Sequence, residues 1–316
     1  MNKMNAIGCS LLILILQGCS LFHQNNHDYR YVDNGNVKII TAKTYETFDS
    51  NIKDFPIYGA FSKSVYLDEK TAPKTETLDE FCKGKDAIYR PAEWTKLTNL
   101  QILTDRKKAH EQLKLEIEVF TKKSDDKSST TAMIVFRGTD FDESKDWMSN
   151  LRWFTRWFTS DLDQYDEVRV MMPKLIKQIE NQDNTVNKFI TTGHSLGGGL
   201  AQLAGYASHK IDTVYSFDSS PVTGYFDVEG GLRRFNAQNL KIYRIYEHGE
   251  VVAYLRLALK AIVPVSEKHP DIVQVRFNVI HDEDIIAQHD IKTLTCNLQK
   301  DLDGNEGDSV AIFIEK

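Results

Sequence analysis

Ser195 is the residue of this chain whose surroundings best suit a nucleophile. It stands in Gly193-His194-Ser195-Leu196-Gly197, the Gly-x-Ser-x-Gly spacing that lifts a serine hydroxyl onto a sharp turn. A serine alcohol is weak on its own. It needs a base to take its proton, a carboxylate to orient that base, and N–H donors for the oxyanion that forms. The five-residue pattern also occurs by chance, so the flanking residues carry the argument. Val186 to Thr192 are rich in β-branched and aromatic residues and read as a strand. Leu200, Ala201, Leu203, Ala204 and Ala207 follow at helical spacing. Strand, turn and helix would hold Ser195 at a helix N-terminus, where the dipole favours negative charge. Such a turn strains the serine backbone and needs glycine at Gly193 and Gly197, so that the helix can pass the strand.

The elements that must position this turn are legible on either side of it. Leu113 to Thr121 alternates as a half-buried strand. Thr130 to Arg137 is a nearly continuous apolar run, the pattern of a central strand. Ile211 to Phe217 and Leu240 to Tyr246 repeat that character, and helical spacing marks Phe55 to Leu67 and Val168 to Ile179. Strands alternating with helices imply an α/β fold. The chain has 316 residues, 41% of them hydrophobic, enough for one sizeable domain of this kind. A net charge of −6 and the absence of a basic block argue against nucleic acid as a partner.

Four motifs in order give a more specific resemblance. They are Phe136-Arg137-Gly138-Thr139, Asp146-Trp147 with Asn150-Leu151, Gly193-His194-Ser195-Leu196-Gly197-Gly198, and a C-terminal His289 followed by apolar residues at helical spacing. Together they resemble the class 3 lipase family over roughly residues 110–300. The resemblance implies an α/β-hydrolase fold, a mostly parallel central sheet flanked by helices, with a lid segment. It implies that Thr139 and Leu196 hold the oxyanion. It aligns Glu250 with the family's acid, although Glu replaces the usual Asp and Val252-Ala253 replaces Val-Pro. Asp218, in Phe217-Asp218-Ser219-Ser220-Pro221, is the rival acid, because it ends the preceding strand. The base must be one of nine histidines and must follow the acid, which leaves His269, His281 and His289. His289 fits best, and His281 in its acidic loop is held in reserve.

Trp153, Phe154, Trp157 and Phe158 form two pairs spaced four apart, so each pair would share a helix face. With Trp147 they lie where the family carries its lid. They could close the site in water and open on a lipid surface, or pack permanently as core or pocket wall. An aromatic surface beside the nucleophile favours an acyl-chain substrate. The expectation is a serine ester hydrolase acting on lipid esters, of triacylglycerol lipase or phospholipase A type, with no cofactor and no metal. The alternatives are a lipase-fold envelope protein that binds without catalysis, and a thioesterase or transacylase using the same triad.

The first residues carry a different message. Lys3, the apolar run Ile7 to Leu16 and Leu16-Gln17-Gly18-Cys19 resemble a bacterial lipoprotein signal. They imply cleavage before Cys19, acylation there, and a membrane partner through that anchor. Ser20 in place of Asp favours the outer membrane of the cell envelope. Residues 1–18 are thus read as signal peptide, 19–43 as tether and 44–316 as the hydrolase domain. Export would leave Cys82 and Cys296 in an oxidising compartment, where they pair as one disulfide or stay as two buried thiols. Asp301-x-Asp303-Gly304-Asn305 departs from a calcium loop and reads as a solvated acidic hairpin turn.

Overall fold

The computed structural model describes residues 36–41, 49–103, 115–138, 151–247, 250, 270–280, 287–304 and 310–315. Of these, 36–41, 151–163, 223 and 310–315 are described by backbone alone. Among them, eleven strands are β1 (Asn36–Thr41), β2 (Lys74–Thr75), β3 (Ile88–Tyr89), β4 (Thr95–Lys96), β5 (Ile117–Lys123), β6 (Thr130–Phe136), β7 (Val186–His194), β8 (Ile211–Phe217), β9 (Lys241–Glu247), β10 (Asp271–Phe277) and β11 (Val310–Glu315). The α-helices are α1 (Phe55–Ser64), α2 (Leu78–Lys83), α3 (Leu151–Gln182), α4 (Leu196–Ala207), α5 (Gly230–Asn236) and α6 (Ile291–Leu302).

Nine of these strands form one sheet in the order β1-β11-β10-β9-β8-β7-β6-β5-β4. From β6 to β10 every neighbouring pair is parallel, and β4–β5, β5–β6 and β10–β11 are antiparallel. Mixed α/β with a mostly parallel sheet flanked by helices is therefore the fold class. A parallel sheet must be covered on both faces, because its strands offer apolar side chains in both directions. Strand β6 illustrates this. Ala132, Ile134 and Phe136 pack with Val168, Met172 and Leu175 of α3 and with Leu200 and Leu203 of α4. Met133 and Val135 point the other way, among Phe55 and Phe61 of α1 and Leu294 and Leu298 of α6. The period of two along the strand thus feeds two separate cores.

Several elements differ from the sequence reading. The strand expected from Leu113 begins at Ile117 and runs to Lys123, and Leu113 itself lies outside the described residues. The aromatic segment and the helical pattern at Val168 to Ile179 belong to one 32-residue helix, α3, with Pro173 inside it. Strand β10 had no clear signal, and β1 falls within the stretch assigned to the tether. Asp301 is no part of a solvated turn: it is buried near the end of α6, which continues to Leu302. Asn305 and Asp308 lie outside the described residues. Among the described residues no helix is long and apolar enough to cross a membrane.

Parallel strands align their C-terminal ends along one edge of the sheet, and this edge collects the chemistry. Gly138 follows β6, Ser195 follows β7, Asp218 follows β8, Glu250 lies three residues past β9, and His289 comes after β10.

Candidate active site

Ser195 joins β7 to α4 with φ 56° and ψ −123°, a left-handed backbone that only glycine adopts freely. The strain is held in place by the surrounding backbone. The Ser195 N–H donates to Phe217 O at 3.0 Å, and Ser195 O accepts from the N–H groups of Gly198 at 3.1 Å and Ser220 at 3.0 Å. A Cβ on Gly193 would run into the carbonyl of Gly197, and one on Gly197 into the carbonyl of Phe136. Both glycines are therefore required by close approach of strand and helix. Leu196 opens α4, so its N–H is among the four that a helix leaves without an internal partner.

Thr139 lies outside the described residues, but the residue before it is held against the elbow. The Gly138 N–H donates to the Tyr66 hydroxyl at 2.9 Å, and that hydroxyl donates to His194 O at 3.3 Å. A Cβ on Gly138 would approach His194 O to 2.6 Å. Tyr66 thus straps the end of β6 to the nucleophile turn. The sequence carried no signal for it beyond a tyrosine two residues past a helix.

His289 ends a short 3-10 helix, Ala287–His289, directly before α6. Its ring is 4% exposed, and its Nδ1 lies 2.9 Å from Glu250 Oε2, with Glu250 0% exposed. This hydrogen bond spans 39 residues of chain. The His289 ring also stands 4.5 Å, centroid to centroid, from that of His194, the residue preceding Ser195. Glu250, His289 and the Ser195 turn are thus brought together. His269 and His281 lie outside the described residues, as does Trp147. Trp153, Phe154, Trp157 and Phe158 fall in the backbone-only part of α3.

Asp218 is 0% exposed and has φ 38°. Its Oδ1 accepts the Glu247 N–H at 2.8 Å, and its own N–H donates to Ile245 O at 2.8 Å. Glu247, a second residue without a sequence signal, turns its buried carboxylate to the N–H groups of Val279 at 3.2 Å and Ile280 at 3.3 Å. Asn297 of α6 donates to Val279 O at 2.7 Å. The ends of β8, β9 and β10 are therefore tied to one another by side chains.

His194, Asp218 and His289 bring one potential ligand atom each to within 4.8 Å of one another. Their donor types would suit a transition metal. His289 Nδ1 is engaged by Glu250 and Asp218 Oδ1 by the Glu247 N–H. Cys82 of α2 and Cys296 of α6 are joined by a disulfide, with Cα atoms 5.6 Å apart.

Burial pushes His194 well below the ordinary imidazole value of 6.5. The His289 ring and Lys63 push the same way, and a backbone hydrogen bond at His289 opposes them. Unfolding exposes a His194 that binds a proton below pH 6.5, which the folded chain refuses. Stability is therefore expected to fall as pH drops below about 6.5, by up to ~1.4 kcal/mol per pH unit for this one proton. Thermal melts of the wild type and of His194→Gln between pH 7.5 and pH 5 test this. Equal slopes in the two proteins would remove His194 as the cause.

Residues 58–220, just over half of the chain, match the family model of the Tle-like phospholipase domain, described as phospholipase-like. The chain belongs to this family. The lipase assignment suggested by the motifs thus holds, in phospholipase-like form. The Tle-like span contains Thr139, Ser195, Leu196 and Asp218 and ends before Glu250 and His289. Among solved structures the chain is similar to lipase II from Rhizopus niveus, at 16% identity and a TM-score of 0.40, over 77% of this chain and 83% of that one. No curated protein sequence matches it.

Proposed function

We propose that this Tle-like phospholipase domain hydrolyses the carboxylic esters of phospholipids through Ser195, His289 and Glu250. Ser195 Oγ attacks the ester carbonyl while His289 takes its proton. The N–H groups of Thr139 and Leu196 hold the oxyanion. His289 returns the proton to the departing alcohol, a lysophospholipid, and leaves an acyl-Ser195 ester. Water, deprotonated by His289, then cleaves that ester and frees the fatty acid. Glu250 keeps the Nδ1 proton in place and stabilises the imidazolium.

The observation that carries this reading is the strained Ser195 at φ 56°, at a strand-to-helix turn with glycine on both sides. Strain of this kind costs of order 1–3 kcal/mol, and it persists where function needs the hydroxyl exposed. The buried Glu250–His289 hydrogen bond of 2.9 Å supports the rest. The family match favours phospholipid over triacylglycerol. The aromatic N-terminal part of α3, with Trp153, Phe154, Trp157 and Phe158, serves in this proposal as the lid. Acylated Cys19, after loss of residues 1–18, would hold the domain at the bacterial envelope, beside its substrate.

A fluorophosphonate probe tests the nucleophile without knowledge of the substrate. The wild type is expected to be labelled and Ser195→Ala is not. In parallel, diacyl phospholipid vesicles are expected to release fatty acid faster than a triacylglycerol emulsion does. A folded wild type that neither takes the probe nor cleaves either lipid would sink the proposal.

A further inference from the structure

We propose that Asp218 is a positioning residue of this site, a second carboxylate that serves His289 alongside Glu250. The proposal rests on the reading of Ser195 and His289 given above. Glu250 holds His289 Nδ1 directly, at 2.9 Å. Asp218 approaches from the neighbouring strand end, with a carboxylate oxygen within 4.8 Å of a ring nitrogen of both His289 and His194.

Two independent features mark Asp218 as more than a turn residue. Its backbone lies at φ 38°, where a side chain costs energy and glycine does not. Its side chain is 0% exposed, and an ionisable group is seldom buried unless the surroundings use it. The hydrogen bond to the Glu247 N–H accounts for one oxygen. A neutral asparagine would accept that bond equally well, so the bond alone does not call for a carboxylate. What a carboxylate adds is negative charge near the imidazole that must become positive in the reaction.

The charged groups around that imidazole make the effect plausible in sign. Glu250 from beyond β9 and Asp218 from the end of β8 face His289, with the Glu247 carboxylate holding the backbone of Val279 and Ile280 nearby. His194 from β7 is kept neutral by burial, and Lys63 at the end of α1 is the cation that acts on it. When Ser195 gives up its proton, the imidazolium forms with the Glu250 carboxylate 2.9 Å from Nδ1 and an Asp218 oxygen within 4.8 Å of a ring nitrogen. At about 5 Å in a partly buried site, a unit charge still acts strongly on its neighbour. Through the Glu247 N–H, Asp218 also fixes the strand end from which the chain reaches Glu250. One side chain thus sets the position of the acid and supplements its charge.

The test uses the full chain with Asp218→Asn, Glu250→Gln and both together. Each is followed by the rate of fluorophosphonate labelling and by kcat and KM for ester hydrolysis across pH. Asp218→Asn is expected to lower kcat about tenfold at unchanged KM, less than the roughly 10²–10⁴-fold of a general acid or base itself, and to move the acid limb of the labelling profile to lower pH. In the Glu250→Gln background it is expected to reduce the residual rate to that of His289→Ala. Melting temperatures guard against misfolding: Asp218→Asn keeps an acceptor for the Glu247 N–H, so it should melt near the wild type while its rate falls. If Asp218→Asn keeps the wild-type rate and profile in both backgrounds, Asp218 is structural and the proposal falls, with the function of Ser195 intact. If the wild type takes no probe, the reading of Ser195 fails and this inference fails with it.

Discussion

Ser195→Ala and His289→Ala should each lower ester hydrolysis by about 10⁵–10⁶-fold, and the double variant should be no worse than either single one. The two residues act as one unit. Without the hydroxyl there is nothing for the base to deprotonate, and without the base the hydroxyl stays protonated. Glu250→Ala should cost less, about 10²–10⁴-fold. His289 would keep its place beside His194 but lose the partner that fixes its tautomer. Single-turnover release of fatty acid, with folding checked by circular dichroism, measures all three. Additive losses in the double variant would mean that the two residues do not serve the same step. An unaffected Glu250→Ala would remove Glu250 from the mechanism.

The second large effect concerns the Cys82–Cys296 disulfide. It closes a loop with a sequence separation of 214 residues. In the chain-entropy account a loop of that size restricts the unfolded state by about 5.4 kcal/mol, and measured losses on removing a native bridge run at roughly 2–5 kcal/mol. For a domain whose total stability is of order 5–15 kcal/mol this is a large share. Cys82→Ser is therefore expected to lower the melting temperature by roughly 10 °C, and a reductant should do the same to the wild type. The bridge ties α2 to α6, which starts two residues after His289 and packs on α1, so breaking it loosens the helix that follows His289. Activity below the transition should stay close to normal while inactivation on heating speeds up. An unchanged melting curve under reductant would show that packing of α6 suffices.

The parts of the site that could be read in advance share one property: their determinants are contiguous. The elbow is written in about twenty residues, because an apolar β-branched run, two glycines and a helix of small residues each act on their immediate neighbours. The observed β7 and α4 flank Ser195 as that reading requires. The central strand ending at Phe136 was equally legible, from a nearly unbroken apolar run with both faces buried. Ile291, Leu294 and Leu298, buried at helical spacing, made the helix after His289 visible for the same reason.

What resisted the linear reading depends on contacts between distant segments. Glu250 and Asp218 both followed strands and both carried carboxylates, and nothing local could say which would meet a histidine 39 or 71 residues further on. The tertiary structure gives Glu250 the hydrogen bond to His289 and turns one Asp218 oxygen to the Glu247 N–H. Tyr66 and Glu247 were invisible because each acts on backbone groups of another element, and a backbone carbonyl or N–H leaves no mark in the sequence. The pairing of Cys82 with Cys296 was open for a related reason: spacing along the chain says nothing of spacing between α2 and α6. Residue type and short-range periodicity were therefore enough to place Ser195 on a strand-to-helix turn and to give the α/β class. Which carboxylate hydrogen-bonds His289 was decided only by the tertiary structure, because the parallel strands carry residues from Gly138 to His289 to one edge of the sheet.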